Sequence, residues 1–189
     1  MERDIAKFIF ELSQLQKIKH EGWKLAGVKD PDSVAEHSLR AAQIAFFLAK
    51  MEEYENPYEV VTMMVFHDIG ETRIGDLHLV AKRYVTRDEE KAINEQMAPF
   101  GPIGENVCRL WSLFEERNTP AGIIARDSDL LEQCFMAKEY IDQGYSYAQN
   151  WITNIKKNLK TESAKKIIKE LESMHSCEWW QGLKKIPKS

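Results

Sequence analysis

The sequence has almost nothing from which to build a disulfide framework. Its three cysteines, Cys108, Cys134 and Cys177, are odd in number, widely spaced and include no C-x-x-C pair. That excludes a stapled secreted scaffold and reads as reduced, packing cysteines in an intracellular protein. Charge of one sign is scarce too. The net charge of −4 is spread along the chain, which excludes a broad electrostatic footprint for a nucleic-acid polymer. Local basic pairs such as Lys156-Lys157 and Lys165-Lys166 fall in helical patterns and read as solvated faces. No apolar run approaches a membrane span, and residues 1–5 show no basic segment leading into an apolar one. The expected compartment is therefore the cytoplasm, with no membrane partner. No alternating run of β-branched residues is long enough for a sheet, and neither a repeat nor a low-complexity segment is present.

What is present is helical. With 189 residues, 43% of them hydrophobic and 30% charged, the chain is long enough to bury a core without cross-links. Ile5, Phe8, Ile9, Leu12 and Leu15 recur at helical spacing and predict an amphipathic first helix. Residues 19–32 carry glycines and a proline and read as a connecting loop. Ser33 and Glu36 form an S-x-x-E capping box that opens a second helix, expected to reach about Glu53. Asn56-Pro57 opens a third, fraying near Gly70, and Thr119-Pro120 opens another that runs to about Gly144. Further helices are predicted near 88–98, 102–117, 147–158 and 162–174. The reading is one all-α domain over 1–189, with a helical extension and tail from about 147.

The stretch from Val65 to Asp76, VFHDIGETRIGD, places charged groups where an apolar run should end in the core. Burying them is costly unless something compensates them. His67 and Asp68 point about 100° apart around the axis and can converge at a helix edge. Glu71 follows one turn later on the same side. His37 lies near the start of its helix, with Ala41 and Ile44 continuing its face inward. A short connection favours antiparallel neighbours, which brings His37 and His67 level. Two imidazoles with carboxylates suit a first-row divalent cation. Asp129 is the best further ligand from a later helix, because Asp127 points nearly opposite. A lone inward histidine is more often a hydrogen-bonded core residue; the combination is what favours a metal. The donor set suits Mn2+, Co2+, Fe2+, Ni2+ or Zn2+ better than an all-oxygen magnesium site.

This pattern resembles the HD-domain superfamily of metal-dependent phosphohydrolases. Ser33-Val-Ala-Glu-His37-Ser, His67-Asp68-x-x-Glu71, Gly75-Asp76 and Asp129-Leu-Leu are similar to the branch containing the 5′-deoxynucleotidases. Glu115-Glu116, Thr119-Pro120 and Trp179-Trp180-x-Gly182 extend the likeness over nearly the full chain. The resemblance implies a compact helical HD bundle in which His37, His67, Asp68 and Asp129 hold one divalent transition metal. It makes Glu71 and Asp76 the catalytic acids beside the phosphate, and Trp23 a substrate-side tryptophan. Related sequences carry an arginine near that tryptophan, where this chain has His20-Glu-Gly-Trp23. Histidine can donate to phosphate but lacks a permanent bidentate charge, so Arg40 and Arg73 join His20 as candidate phosphate partners. The bland alternatives are a solvated Glu71, a turn-forming Asp76, a core-covering Trp23 and arginines paired with surface acids. Superfamily members with two metals carry extra histidines before the last aspartate; only His78 is there, which argues for one ion.

The implied activity is hydrolysis of nucleoside 5′-monophosphates, deoxyribonucleotides favoured, to nucleoside and phosphate. The rivals are hydrolysis of nucleoside triphosphates or signalling nucleotides, and a non-catalytic nucleotide-binding protein. A homodimer is expected, with Trp179 and Trp180 buried against the body or a second subunit.

Overall fold

The computed structural model describes residues 1–184. Its elements follow the local start signals. Helix α1 (Glu2–Leu12) tightens into a 3-10 turn through Gln16, and the loop beyond it contains a short helix, α2 (Gly22–Leu25). Helix α3 (Val34–Met51) starts at the Ser33 box: the Ser33 side chain accepts from the Glu36 amide, and Glu36 accepts from the Ser33 amide. Asn56 caps α4 (Pro57–Phe66), with proline at its first position. After a turn come α5 (Glu71–Ile74), α6 (Glu89–Met97) and α7 (Pro102–Glu116). Thr119 caps the long α8 (Pro120–Asp142), and α9 (Gln149–Ile155), α10 (Glu162–Ser173) and α11 (Glu178–Gln181) close the described chain. No strand forms among the described residues; an isolated antiparallel bridge joins Lys19 to Ser33. The expected all-α class is what the structure has.

Helix α3 packs on α4 and α8, and these three surround the larger apolar cluster. Ala41, Ala45 and Leu48 of α3 meet Met63 and Met64 of α4 and Ala125, Leu131 and Cys134 of α8. The small residues allow the helices a close approach. At Gly122, an added Cβ would lie 2.2 Å from the Leu113 carbonyl oxygen, so α7 and α8 touch backbone to backbone there. The C-terminal segment shares this core through Ile152, Ile155, Ile168 and Leu171. Asp127 ties it down: its carboxylate accepts from the Lys160 and Thr161 amides and the Thr161 hydroxyl, just before α10. A second cluster, with Leu15, Val34, Ile69, Ile93 and Trp111, supports the turn after α4.

Two expectations differ in detail. The first helix is amphipathic, but Ile9 and Phe10 are exposed, and Phe8 and Leu12 are only half-buried against the second cluster. Trp179 is 74% exposed rather than buried against the body, while Trp180 lies under the Lys184 ammonium. No described helix is long and apolar enough to cross a membrane.

Candidate metal centre

Each donor reaches the centre for a local reason. Helix α4 stops at Phe66, and the next residues are held by tighter bonds: Glu71 N to Asp68 O, Thr72 N to Ile69 O and Arg73 N to Gly70 O. The break leaves late carbonyls of α4 in need of donors. His67 Nδ1 donates to one of them, Met64 O, at 2.7 Å. A carbonyl only accepts, so the proton sits on Nδ1 and Nε2 faces inward as a base. His37 is oriented differently. Its Nδ1 lies 2.5 Å from Oε2 of Glu132, a fully buried carboxylate on α8. Glu132 in turn pairs with Arg40, which also reaches Glu139.

The start of α3 thus meets the end of α4. His37 Nε2 lies 3.3 Å from His67 Nε2, 3.3 Å from Asp129 Oδ1 and 3.7 Å from Asp68 Oδ2. Asp68 Oδ2 is 3.0 Å from His67 Nε2. Donor atoms of His37, His67 and Asp129 all fall within 4.8 Å of one another. Buried nitrogens and carboxylate oxygens converging this closely fit a first-row divalent cation. Phe114 closes the apolar side, edge-on to His67.

The electrostatics agree. Burial disfavours charge on every member, yet hydrogen bonds that its ring donates to Asp129 and Glu132 raise His37 well above the ordinary imidazole value. Burial is likewise overcome at His67, which the Asp68 charge raises. Against its own burial, Asp68 is held down to about 2 by His67. Asp129 lies far below the usual carboxylate range because Arg126, at 2.5 Å, and His37 outweigh burial.

Glu71 is the exception. It is 5% exposed, and its Oε2 is buried with no hydrogen-bond partner among the described residues. Burial, reinforced by the charges of Asp68, Asp76 and Glu89, pushes its carboxyl up to about 10. Arg87, with one guanidinium nitrogen 3.7 Å from Glu71 Oε1, offsets this only in part. Asp76 follows Gly75, whose φ of 71° turns the chain out of α5 in a conformation that L side chains rarely adopt. Asp76 Oδ2 accepts from the Glu21 amide at 2.7 Å, tying this turn to the segment that carries His20.

The structure therefore brings His37, His67, Asp68 and Asp129 together, with Glu71, Asp76 and His20 around them. It does not bring Arg73, which pairs with Glu11 and Glu95. Arg40 sits behind His37, bound to carboxylates. Trp23 is 2% exposed, stacked on Trp151 at 4.7 Å and edge-on to Tyr140. Sequence reasoning missed Glu132 and Arg87. Glu132 was legible as the residue three after Asp129 on the same helical face; Arg87 comes from an aperiodic loop that offers no such signal.

Glu132→Gln keeps the shape of the group behind His37 and removes its charge. Outer partners of this kind are worth about 10- to 100-fold in metal affinity. A loss of that size, with the overall fold unchanged by circular dichroism, is the expected result of a metal titration.

Comparison with known proteins identifies the family of the chain. A family model described as HD domain matches residues 12–172. The 5′-deoxynucleotidase HDDC2 of Dictyostelium discoideum is 29% identical over 140 residues, covering 69% of this chain and 74% of that protein. Its Homo sapiens namesake is 26% identical over 145 residues, covering 74% and 70%. A structural-genomics crystal structure, 35% identical, superposes with a TM-score of 0.79 over 95% of this chain and 99% of its own. The matched segment runs through all four converging donors, and the chain belongs to the HD domain family.

Proposed function

We propose that this protein is a metal-dependent phosphomonoesterase that hydrolyses deoxyribonucleoside 5′-monophosphates to nucleoside and phosphate. The observation that carries the reading is the convergence of two imidazoles and two carboxylates beside a buried Glu71 whose Oε2 has no hydrogen-bond partner among the described residues. The names of the 5′-deoxynucleotidase relatives supply the substrate class. One transition-metal ion per chain, a cytoplasmic location and a homodimer belong to the same proposal.

His37, His67, Asp68 and Asp129 would hold the ion, which when bound supplies Lewis-acid polarisation of a phosphoryl oxygen and activation of water. The chain's own groups do the rest. Asp68, His20, Asp76 and Arg87 are the partly exposed members, so they border the opening through which a phosphate enters. Arg87 carries positive charge beside Glu71, where charge builds on the phosphoryl oxygens. Glu71, with an unpartnered oxygen and a raised affinity for a proton, is placed to give that proton to the leaving 5′-oxygen and to recover one from water. Asp76, already engaged with the Glu21 amide, positions the ribose rather than the proton.

A panel of deoxyribo- and ribonucleotides assayed across Mn2+, Co2+, Fe2+, Ni2+, Zn2+ and Mg2+ tests this. The expected result is free phosphate from deoxyribonucleoside monophosphates. Pyrophosphate or triphosphate released from nucleoside triphosphates would favour the polyphosphate reading instead. No product with any metal would leave a binding protein.

A further inference from the structure

His20 stands outside the four-donor set, yet three separate features bring it there. The first is backbone. Lys19 bridges Ser33, His20 N donates to Asp32 O at 3.0 Å, and Val34 N donates to Ile18 O at 3.0 Å. The segment before α2 is thereby clamped to the start of α3, four residues before His37. The second is the ring itself. Its centroid lies 4.4 Å from that of His37, and the side chain is 14% exposed. A His20 nitrogen, a His37 nitrogen and an Asp68 oxygen fall within 4.8 Å of one another, as close as the His37, His67 and Asp129 donors are.

The third feature is the pattern of partners. His20 Nδ1 is 3.2 Å from Asp32 Oδ2, and Tyr140 donates its hydroxyl proton to the other oxygen, Oδ1. Glu132 and the Met64 carbonyl are hydrogen-bonded to Nδ1 of His37 and of His67, while His20 Nδ1 faces Asp32 Oδ2 at ion-pair distance. All three imidazoles thus have Nδ1 against an oxygen and Nε2 as the remaining base, the arrangement typical of metal-binding histidines. The charges point the same way. Asp32 on one side and Asp68 on the other make the surroundings of His20 suited to a cation more than to a phosphate.

We propose that His20 is a fifth ligand of the ion held by His37, His67, Asp68 and Asp129, which makes the centre one of three imidazoles and two carboxylates. The proposal rests on the four-ligand reading and deepens it. A third nitrogen donor shifts preference away from oxygen-seeking Mn2+ and Mg2+ toward Co2+, Ni2+ and Zn2+.

The test is a Co2+ titration of the full chain, followed by calorimetry and by the visible d–d bands, for wild type, His20→Asn, His20→Arg and Asp32→Asn. Thermal melts show which variants fold, and two side chains of different size at position 20 ensure a readable one. The expected result is one Co2+ per wild-type chain, with binding weakened about 10- to 100-fold and altered bands in the His20 variants. Asp32→Asn weakens binding in the same direction. Wild-type affinity and bands in the His20 variants, with only KM for the nucleotide raised, would overturn the proposal and make His20 a substrate residue. A wild type that takes up no Co2+ overturns the four-ligand reading itself, and this proposal with it.

Discussion

Asp68→Ala is expected to strip the protein of its ion and reduce phosphate release to background. Asp68 lies 3.0 Å from His67 Nε2 and 3.7 Å from His37 Nε2, and it is the partly exposed carboxylate of the set, where Asp129 is buried. Removing it deletes a donor outright, so the loss should exceed the roughly 10- to 100-fold of an outer partner. The side chain is one-fifth exposed, so its removal leaves no sealed cavity, and the fold should survive. His67→Ala should do the same to metal and activity. Metal content after gel filtration, with phosphate release on the same sample, decides the matter. Full activity from a metal-free preparation would sink the proposed function. Uptake is also coupled to protons: His37 and His67 are raised, so binding displaces protons and weakens as pH falls.

Glu71→Gln should separate chemistry from assembly. Glutamine matches the glutamate in shape and leaves every proposed ligand in place, so metal stoichiometry should hold. It cannot exchange the proton, and kcat should fall by about 10²- to 10⁴-fold. The metal-free variant should also be the more stable protein. A carboxyl whose folded value is raised to about 10 stabilises fully only below its ordinary value of 4.5. That contribution is lost as pH climbs through the folded value, because the unfolded chain ionises freely and the buried group does not. Wild-type melting temperature should therefore decline from pH 5 to pH 9 where that of Glu71→Gln stays flatter. Each kcal/mol recovered is worth about 2–4 °C in a chain of this size. An unchanged kcat would reassign Glu71 to a structural role.

The parts of the fold most legible in the sequence were those set by neighbours along the chain. Ser33 with Glu36, Asn56 with Pro57 and Thr119 with Pro120 each declare a helix start within four residues, and each does cap one. His37, His67 and Asp129 were legible because helical periodicity says which way a side chain faces once its helix is placed. What escaped depends on distant partners. The short helix Gly22–Leu25 hid between glycines, and Trp23 faces the core because Trp151 and Tyr140 arrive from elsewhere. The break after Phe66 was read only as fraying, although its tighter turn is what frees Met64 O to orient His67. Arg40 looked available for phosphate until α8 supplied Glu132 and Glu139 as its partners.

Helix α8 presents Asp129 to the centre and, two residues earlier, Asp127 to the amides ahead of α10. The two side chains leave the helix about 200° apart, so α8 is gripped from opposite flanks. It can neither rotate nor slide by one residue without losing the converging carboxylate on one side and the amide contacts of Asp127 on the other. The segment from Lys160 onward thus acts as a torsional lock on a donor it never touches, and damage there would be read out as a misaimed Asp129.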